Sequence, residues 1–184
     1  MLSQILLKSK IILVILGVLF VTQTATGLTI KEASLEELTS ESVLVVRGTI
    51  VEQFSQWDAD HRNIYTYNTM EIQQVLRGNI SSETVMVREL GGTVGEVTAE
   101  VNGLRYLNTG DDVILFLRET DENNVYKIHS FTLGKFNIVS EGGAIVVKNA
   151  LGTVNILNHN QPAAKTVTSP VELSGFLQRL SAIR

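Results

Sequence analysis

The chain has 184 residues, no cysteine and a formal net charge of −4, which suits one domain with a short appendage. The lack of cysteine excludes a disulfide-stapled scaffold and a lipid-anchored lipoprotein, because both require that residue. The acidic charge argues against nucleic acid and anionic lipid as partners, since both bind cationic surfaces that release their counterions.

The N-terminal segment has the residue order of a secretory signal peptide. Lys8 and Lys10 precede an apolar run of 11 residues at 11–21, and small and polar residues lead to Gly27. A membrane-spanning helix needs roughly 20 apolar residues, so this run is short for a span. We expect cleavage after Gly27, with cleavage after Ala25 or a retained anchor as the alternatives.

Cleavage at this point divides the chain into a signal peptide at 1–27 and a mature domain at 28–184. It removes two lysines and no acidic residue, which shifts the formal charge from −4 to −6. We expect the mature protein in the periplasm or outside the cell, with no stable membrane span after signal cleavage.

The first predicted helix covers residues 31–40. Ser34 can cap this helix, and Glu37 three residues later completes a capping box. Leu35 and Leu38 give the helix one apolar edge. A helix of this length is only marginally stable by itself. We therefore expect its apolar edge to pack on the rest of the domain.

Two long strands follow at 43–54 and 64–76, joined by a polar turn at 58–63. The first half of the first strand is apolar on both faces, and the second strand alternates between apolar and polar residues. Gly48 lies within the first strand, where glycine indicates a bend or bulge that lets a strand turn a barrel corner.

Shorter strands are predicted from apolar stretches between turn residues. The run at 113–117 is apolar at every position, so we expect it to be the most buried strand. The other predicted strands are 83–90, 96–101, 125–129, 135–139, 144–149 and a small one at 153–157.

An amphipathic helix is predicted at the C-terminus, at 170–183. Ser169 is the expected N-cap, with Pro170 at the first helical position and Glu172 completing a capping box. The residues that share its apolar face are Leu173, Phe176, Leu177 and Leu180. We expect this face to pack on the sheet.

These elements predict an all-β fold. The curvature implied by the long strands favours an OB-like antiparallel barrel of five or six strands, with a short N-terminal helix and an amphipathic C-terminal helix. A β-sandwich is the alternative arrangement of the same strands. The whole of 28–184 is expected to form this single domain.

The order of residues in the first half supports a family resemblance. A helix leads into the strand at 42–51, and a second long strand closes on Leu76-Arg77-Gly78. Across 31–117 this order resembles the netrin-like OB barrel, best known from the tissue inhibitors of metalloproteinases, and it implies a netrin-type fold. Those inhibitors chelate a catalytic zinc through a mature N-terminal cysteine. This chain has no cysteine, so neither that mechanism nor any inhibitory residue carries over.

A second resemblance spans most of the mature chain and rests on short motifs. The motifs are Val46-Arg47-Gly48, Trp57-Asp58, Ile64-Tyr65-Thr66-Tyr67, Leu76-Arg77-Gly78, Gly91-Gly92-Thr93-Val94-Gly95 and Gly110-Asp111. They are similar to motifs of exported bacterial proteins with the same apparent architecture. The likeness implies no particular activity.

Three aromatic residues around the first hairpin, Trp57, Tyr65 and Tyr67, are the candidate binding residues. Tyr65 and Tyr67 share a face by strand alternation. Exposed aromatic side chains on an OB-type barrel suit sugars, peptides or bases. The alternative is a packing role at the edge of the core or under the C-terminal helix.

The polar turn offers oxygen atoms to a hard cation such as calcium, from Asp58, Asp60 and Asn63. An EF-hand loop would need glycine at its sixth position and glutamate at its twelfth, which here are Asn63 and Thr69. Turn-forming residues at a soluble hairpin tip are the simpler interpretation. We therefore predict no metal.

No catalytic or cofactor-binding motif is recognised. The glycine-rich stretch at 91–95 lacks the Lys-Ser/Thr of a phosphate-binding loop and is expected to be a barrel corner or a long loop. His61, His129 and His159 lie on separate segments, without the spacing of a Ser-His-carboxylate set. We predict no cofactor and no catalytic residue.

The leading hypothesis is an exported, non-catalytic binding module that contacts a protein or a glycan through the first hairpin. A secreted protease is one such partner, by analogy of fold alone. A structural or accessory protein of the cell envelope and an enzyme of unknown type are the alternatives.

Overall fold

The computed structural model describes residues 29–31, 33–149, 155–157 and 171–183. The expected signal peptide at 1–27 lies outside these ranges, as do the expected cap residues Ser169 and Pro170. Within the described ranges, no helix combines the length and the apolar character needed to cross a bilayer.

The described chain is mostly β, as predicted, and contains two α-helices and one short 3₁₀ helix. In chain order the elements are β1 (Thr29–Lys31), α1 (Leu35–Glu41), β2 (Leu44–Trp57), β3 (Ile64–Arg77), β4 (Thr84–Leu90), β5 (Gly92–Val94), β6 (Val97–Ala99), β7 (Asp112–Glu119), β8 (Val125–Ile128), the 3₁₀ helix (Phe131–Gly134), β9 (Lys135–Glu141), β10 (Ala144–Asn149), β11 (Asn155–Leu157), β12 (Val171–Glu172) and α2 (Leu173–Ala182).

A large, mostly antiparallel sheet dominates the described structure, with the strand order β12-β10-β9-β7-β2-β3-β4-β8. Strand β7 also pairs with β8. The five strands β7, β2, β3, β4 and β8 are therefore paired in a closed cycle. Within that cycle only β4 and β8 run parallel. The stretch predicted as a barrel corner or long loop forms the β5–β6 hairpin, a separate two-stranded sheet.

Strand β7 is buried on both faces, as its uninterrupted apolar run predicts. Its alternate residues belong to two different hydrophobic clusters. Val113, Leu115 and Leu117 join an inner cluster with residues of β2, β3, β4 and β8. Ile114 and Phe116 join a helix-side cluster with residues of α1, β9, β10 and α2.

The N-terminal helix has the predicted capping box. The Glu37 backbone N–H donates to Ser34 Oγ at 3.1 Å, and the Ser34 backbone N–H donates to Glu37 Oε2 at 2.9 Å. Leu35 and Leu38 are buried in the helix-side cluster. The predicted docking of this short helix is confirmed.

The C-terminal helix begins later than its sequence pattern predicts. Val171 and Glu172 pair with β10 as strand β12, and the helix starts at Leu173. The prediction that Glu172 completes a capping box inside the helix is therefore wrong. Its backbone pairs with Val146 of β10, and its side chain makes no capping hydrogen bond. The amphipathic face is confirmed, since Phe176 and Leu180 are buried against the sheet.

Gly48 lies at the predicted irregularity in the first strand. The register between β2 and β3 shifts between Arg47 and Gly48. A Cβ atom built on Gly48 would overlap the backbone carbonyl oxygen of Glu71 on β3. Only glycine allows the two backbones to come this close.

We expect Gly48→Ala to lower the free energy of unfolding by about 1–3 kcal/mol, because the new methyl group must push the backbone of β3 away. Gly175→Ala is the matched control, since a Cβ atom at Gly175 meets no atom within 4 Å. In helix α2 the control should add about 0.5–1 kcal/mol. Urea denaturation of the two variants tests this, and equal stability would contradict the close approach.

Candidate functional site

The structure places the three predicted aromatic residues in different environments. Tyr67 is buried, with only 4 % of its surface exposed. Its ring stacks on Phe54 at a centroid distance of 5.2 Å, and its hydroxyl donates to the Glu122 carboxylate at 2.9 Å. The loop after β7 covers this side of the hairpin, so Tyr67 lacks the exposure that was expected of a binding residue.

Trp57 does not extend the surface of the two tyrosines. It pairs with Ile64 across the hairpin, whereas Tyr65 pairs with Gln56. Neighbouring positions on a strand point to opposite faces, so Trp57 and Tyr65 lie on opposite faces of the hairpin. Trp57 is half-buried and stacks on His61 of the turn, at a centroid distance of 6.2 Å.

Tyr65 is the one predicted residue that lines a cleft with a volume of about 540 Å³. The Arg88 guanidinium carbon lies 4.7 Å from the centre of the Tyr65 ring, a cation–π contact. The volume falls within the range of small-ligand pockets, about 300–1,000 Å³. This cleft is the candidate site.

The cleft exists because β4 and β8 pair over a short distance and then diverge. Their pairing ends at Arg88 and Lys127. Beyond it the chain turns into the 3₁₀ helix through Ser130 and Phe131, whose φ angles of 52° and 53° are left-handed. Left-handed backbone is costly for residues other than glycine, most of all for a bulky aromatic residue. The turn therefore holds strain beside the cleft.

Three cationic side chains lie side by side on neighbouring strands at this cleft. Arg88 on β4 pairs with Lys127 on β8, and Lys127 pairs with Arg118 on β7. Paired residues share a face of the sheet, and adjacent strands lie about 4.8 Å apart. We call Arg88, Lys127 and Arg118 the cationic row.

The outer members of the cationic row have carboxylate partners, and the middle one does not. Arg88 binds Asp121 and Glu122, and Arg118 lies 3.9 Å from Glu41. Among the described residues, no carboxylate lies within ion-pair distance of Lys127. Lys127 is exposed, and its position on β8 lies between those of the two arginines on the neighbouring strands.

A buried ion pair lies beneath the cleft. Lys135 Nζ lies 3.6 Å from Glu89 Oε1, and both side chains are almost fully buried. Burial raises the pKa of Glu89 and lowers the pKa of Lys135, and each charge partly opposes the shift of the other.

The same pair holds the segment after β6 in place. Glu89 Oε2 accepts from the Leu107 backbone N–H at 2.9 Å and from Asn68 Nδ2 at 3.2 Å. Lys135 Nζ donates to the backbone carbonyl of Arg105. Leu107 is thereby fixed as a fully buried member of the inner cluster.

Two further residues of the cleft are unusual. Thr132 is 2 % exposed, and its hydroxyl has no hydrogen-bond partner among the described residues. That hydroxyl has almost no accessible surface, so it lies behind the wall of the cleft. Phe131 is 48 % exposed, although its backbone is left-handed. Its exposed ring fits a surface that a ligand covers.

His129 meets a hydroxyl and a carboxylate at one end of the cleft. Its Nδ1 lies 3.2 Å from Ser42 Oγ, and its Nε2 lies 3.4 Å from Glu41 Oε2. Burial lowers the pKa of His129, as does nearby Arg118, while Glu41 acts in the opposite direction. In a nucleophilic triad the serine is accessible and the carboxylate is buried. Here Ser42 is buried and Glu41 is exposed, so the arrangement is reversed.

The polar turn of the first hairpin uses its own oxygen atoms. The Asp58 carboxylate accepts from the backbone N–H groups of Arg62 and Asn63, at 2.8 and 3.2 Å, and from Asn63 Nδ2 at 2.8 Å. These hydrogen bonds lower the pKa of Asp58. The described residues contain no group of three or more His, Cys, Asp or Glu side chains arranged to hold a metal ion.

Sequence reasoning missed the residues that define the cleft. The members of the cationic row occupy outward positions of separate strands, where exposed charges are ordinary. Only the strand register brings them together. Phe131 carried no sequence signal either, because its left-handed backbone is set by the turn around it.

No known protein-family model matches this sequence, and no curated protein is significantly similar to it. Function therefore has to be inferred from the geometry of the cleft.

We expect Lys135→Met to lower the free energy of unfolding by about 3–5 kcal/mol, because it leaves the Glu89 carboxylate buried without its cation. The raised pKa of Glu89 in the folded state makes this loss grow as the pH rises through that pKa. Denaturation at pH 5 and at pH 8 measures the difference. The double variant Glu89→Gln/Lys135→Met is the control and should recover part of the loss. A double variant less stable than the single one would contradict the pairing.

The lowered pKa of His129 predicts acid sensitivity. Below the ordinary value of 6.5 the unfolded chain takes up a proton that the folded chain resists, so stability falls as the pH drops below 6.5. We expect the free energy of unfolding of His129→Asn to fall less between pH 7 and pH 5 than that of the wild type. His61→Asn is the matched control, since His61 lies exposed in the hairpin turn and away from the cleft. Equal slopes for all three proteins would contradict the prediction.

Proposed function

We propose that the protein is an exported, non-catalytic binding module whose ligand occupies the cleft between β4 and β8. Export is supported by the charged, apolar and small-residue order of 1–27. The ligand is a segment of a protein or a glycan. This site replaces the one expected around Trp57, Tyr65 and Tyr67. Of those three residues, Tyr65 alone lines the cleft.

We propose further that the domain is a five-stranded OB-type barrel. The cyclic pairing of β7, β2, β3, β4 and β8 supports this. A second support is the parallel pairing of β4 with β8, which are the third and fifth of these five strands in chain order. The inner cluster draws its side chains from these strands. A barrel of this kind presents its loops and strand ends as binding surfaces. The netrin-type variant of the barrel remains part of the proposal.

The cleft is the observation on which we base the binding role. It combines an exposed aromatic ring in strained backbone, an unpartnered buried hydroxyl and a cation without a carboxylate. The exposed ring and the cation are the two features that a ligand in the cleft can contact directly. Their presence in one cavity favours binding over a purely structural role.

A non-catalytic role is supported by the arrangement around His129. A nucleophile must be accessible to its substrate. Ser42 is buried, and its hydroxyl is hydrogen-bonded to His129 Nδ1. The buried pair of Glu89 and Lys135 is occupied by hydrogen bonds to backbone and side-chain groups that hold the domain together. Both sets are accounted for by positioning roles.

We expect Phe131→Gly to weaken ligand binding by about tenfold or more while leaving the protein as stable or more stable. The ring is lost from the binding surface, and the left-handed backbone is relieved. Asn124→Gly is the matched control, because Asn124 also has a left-handed φ, of 60°, but lies outside the cleft. It should gain stability and keep full affinity.

The measurement uses arrays of peptides and oligosaccharides, followed by dissociation constants for each probe that the wild type binds. Urea denaturation supplies the stability of each variant. A Phe131→Gly variant that binds every probe as tightly as the wild type would place the site elsewhere. A wild type that binds no probe would contradict the binding role.

A further inference from the structure

The cationic row places three like charges on adjacent strands, within roughly 10 Å. Asp121 and Glu122 neutralise Arg88, and Glu41 lies beside Arg118. Asp121 attracts Lys127 only from beyond ion-pair distance. Lys127 is thus the member of the row whose ammonium group is in ion-pair contact with no carboxylate of the described residues.

The cleft is cationic although the protein is acidic. Its lining includes five cationic side chains, from the cationic row together with Arg105 and Lys135, against the carboxylates of Glu41 and Glu89. The whole chain has a net charge of −4. Asp121 and Glu122, which neutralise Arg88, lie just outside this lining. With them included, four carboxylates accompany the five cations, and Lys127 and Arg105 are the cations of the cleft without a carboxylate in ion-pair contact among the described residues. Charge of one sign in a cleft attracts ligands of the opposite sign and repels others.

Apolar groups stand beside these cations. Phe131 is exposed, and Leu90 and Leu104 line the same cavity. Sugars bind proteins through open aromatic faces, whereas one face of the Tyr65 ring is covered by the Arg88 guanidinium. A surface that mixes cations with aliphatic and aromatic side chains fits a peptide that has both acidic and large apolar residues.

We propose that the ligand of this cleft is an acidic peptide segment of a partner protein, with its carboxylates on the cationic row and an apolar side chain against Phe131. This inference rests on the binding role proposed above and names the class of ligand. Lys127 is the central contact, because it has no carboxylate partner among the described residues. Arginine and lysine at such a site bind carboxylates by charge-assisted hydrogen bonds.

The test measures fluorescence anisotropy of the purified protein with three labelled probes. They are a peptide of Glu and Phe residues, the same peptide with Gln at every Glu, and an oligogalacturonate as the acidic glycan. We expect the Glu peptide to bind, the Gln peptide to bind at least tenfold more weakly, and the affinity for the Glu peptide to fall as salt is raised from 0.05 to about 0.5 M.

Two variants identify the site. Lys127→Gln should weaken binding of the Glu peptide by about three- to tenfold at low salt, since it removes the cation that the peptide carboxylate contacts. Lys148→Gln is the matched control, because Lys148 pairs with Glu141 on the β9–β10 hairpin and does not line the cleft. It removes the same charge from the protein and should leave the affinity unchanged.

The outcomes separate the class of ligand from the binding role itself. Equal binding of the Glu and Gln peptides, or binding of the oligogalacturonate alone, would overturn the acidic-peptide inference. The cleft would remain the site if Phe131→Gly still weakened that binding. Equal loss of affinity in Lys127→Gln and Lys148→Gln would also overturn it, by showing that net charge and not the row attracts the peptide. No binding of any probe would overturn both proposals.

Discussion

One edge of strand β7 has to serve two partners, and the rest of the structure follows from how it does so. The other edge bonds to β2 from Leu117 to Asp112. A strand residue can offer its backbone bonds to only one neighbour on each side. The shared edge is therefore divided, with β9 at 113–115 and β8 at 117–119. The chain therefore leaves the edge of β7 after β8 and returns to it as β9. The 3₁₀ helix, entered through left-handed backbone, makes this connection.

Alternation along β7 separates the two hydrophobic clusters, and the division of its edge accompanies the cleft. Val113, Leu115 and Leu117 face the inner cluster along the whole strand. Ile114 and Phe116 face the helix-side cluster, which receives both helices. At the branch, β8 turns away from β4, and the gap between them opens the cavity. The ion pair of Glu89 and Lys135 closes the gap from below and holds the buried Leu107 in place.

The cleft collects features that reduce the stability of the free domain. A cation sits between two others, a bulky residue has left-handed backbone, and a buried hydroxyl lacks a partner. Departures of the same kinds also occur outside the cleft, as in the left-handed backbone of Asn124 and the unpartnered Asp112 Oδ1 among the described residues, but the cleft combines them with an exposed aromatic ring and a row of cations. Violations of local rules that gather in one place are typical of a functional surface, since selection for binding there opposes selection for stability.

Local signals in the sequence determined the class and most elements of this protein. Hydrophobic alternation located the long strands, the run at 113–117 indicated the strand buried on both faces, and Ser34 with Glu37 predicted the first helix, because each of these depends on neighbouring residues alone. Tertiary structure decided the rest. The strand register brought Arg88, Lys127 and Arg118 together, the loop after β7 buried Tyr67, and pairing with β10 delayed the start of α2. These outcomes depend on contacts between distant segments, which no local pattern encodes.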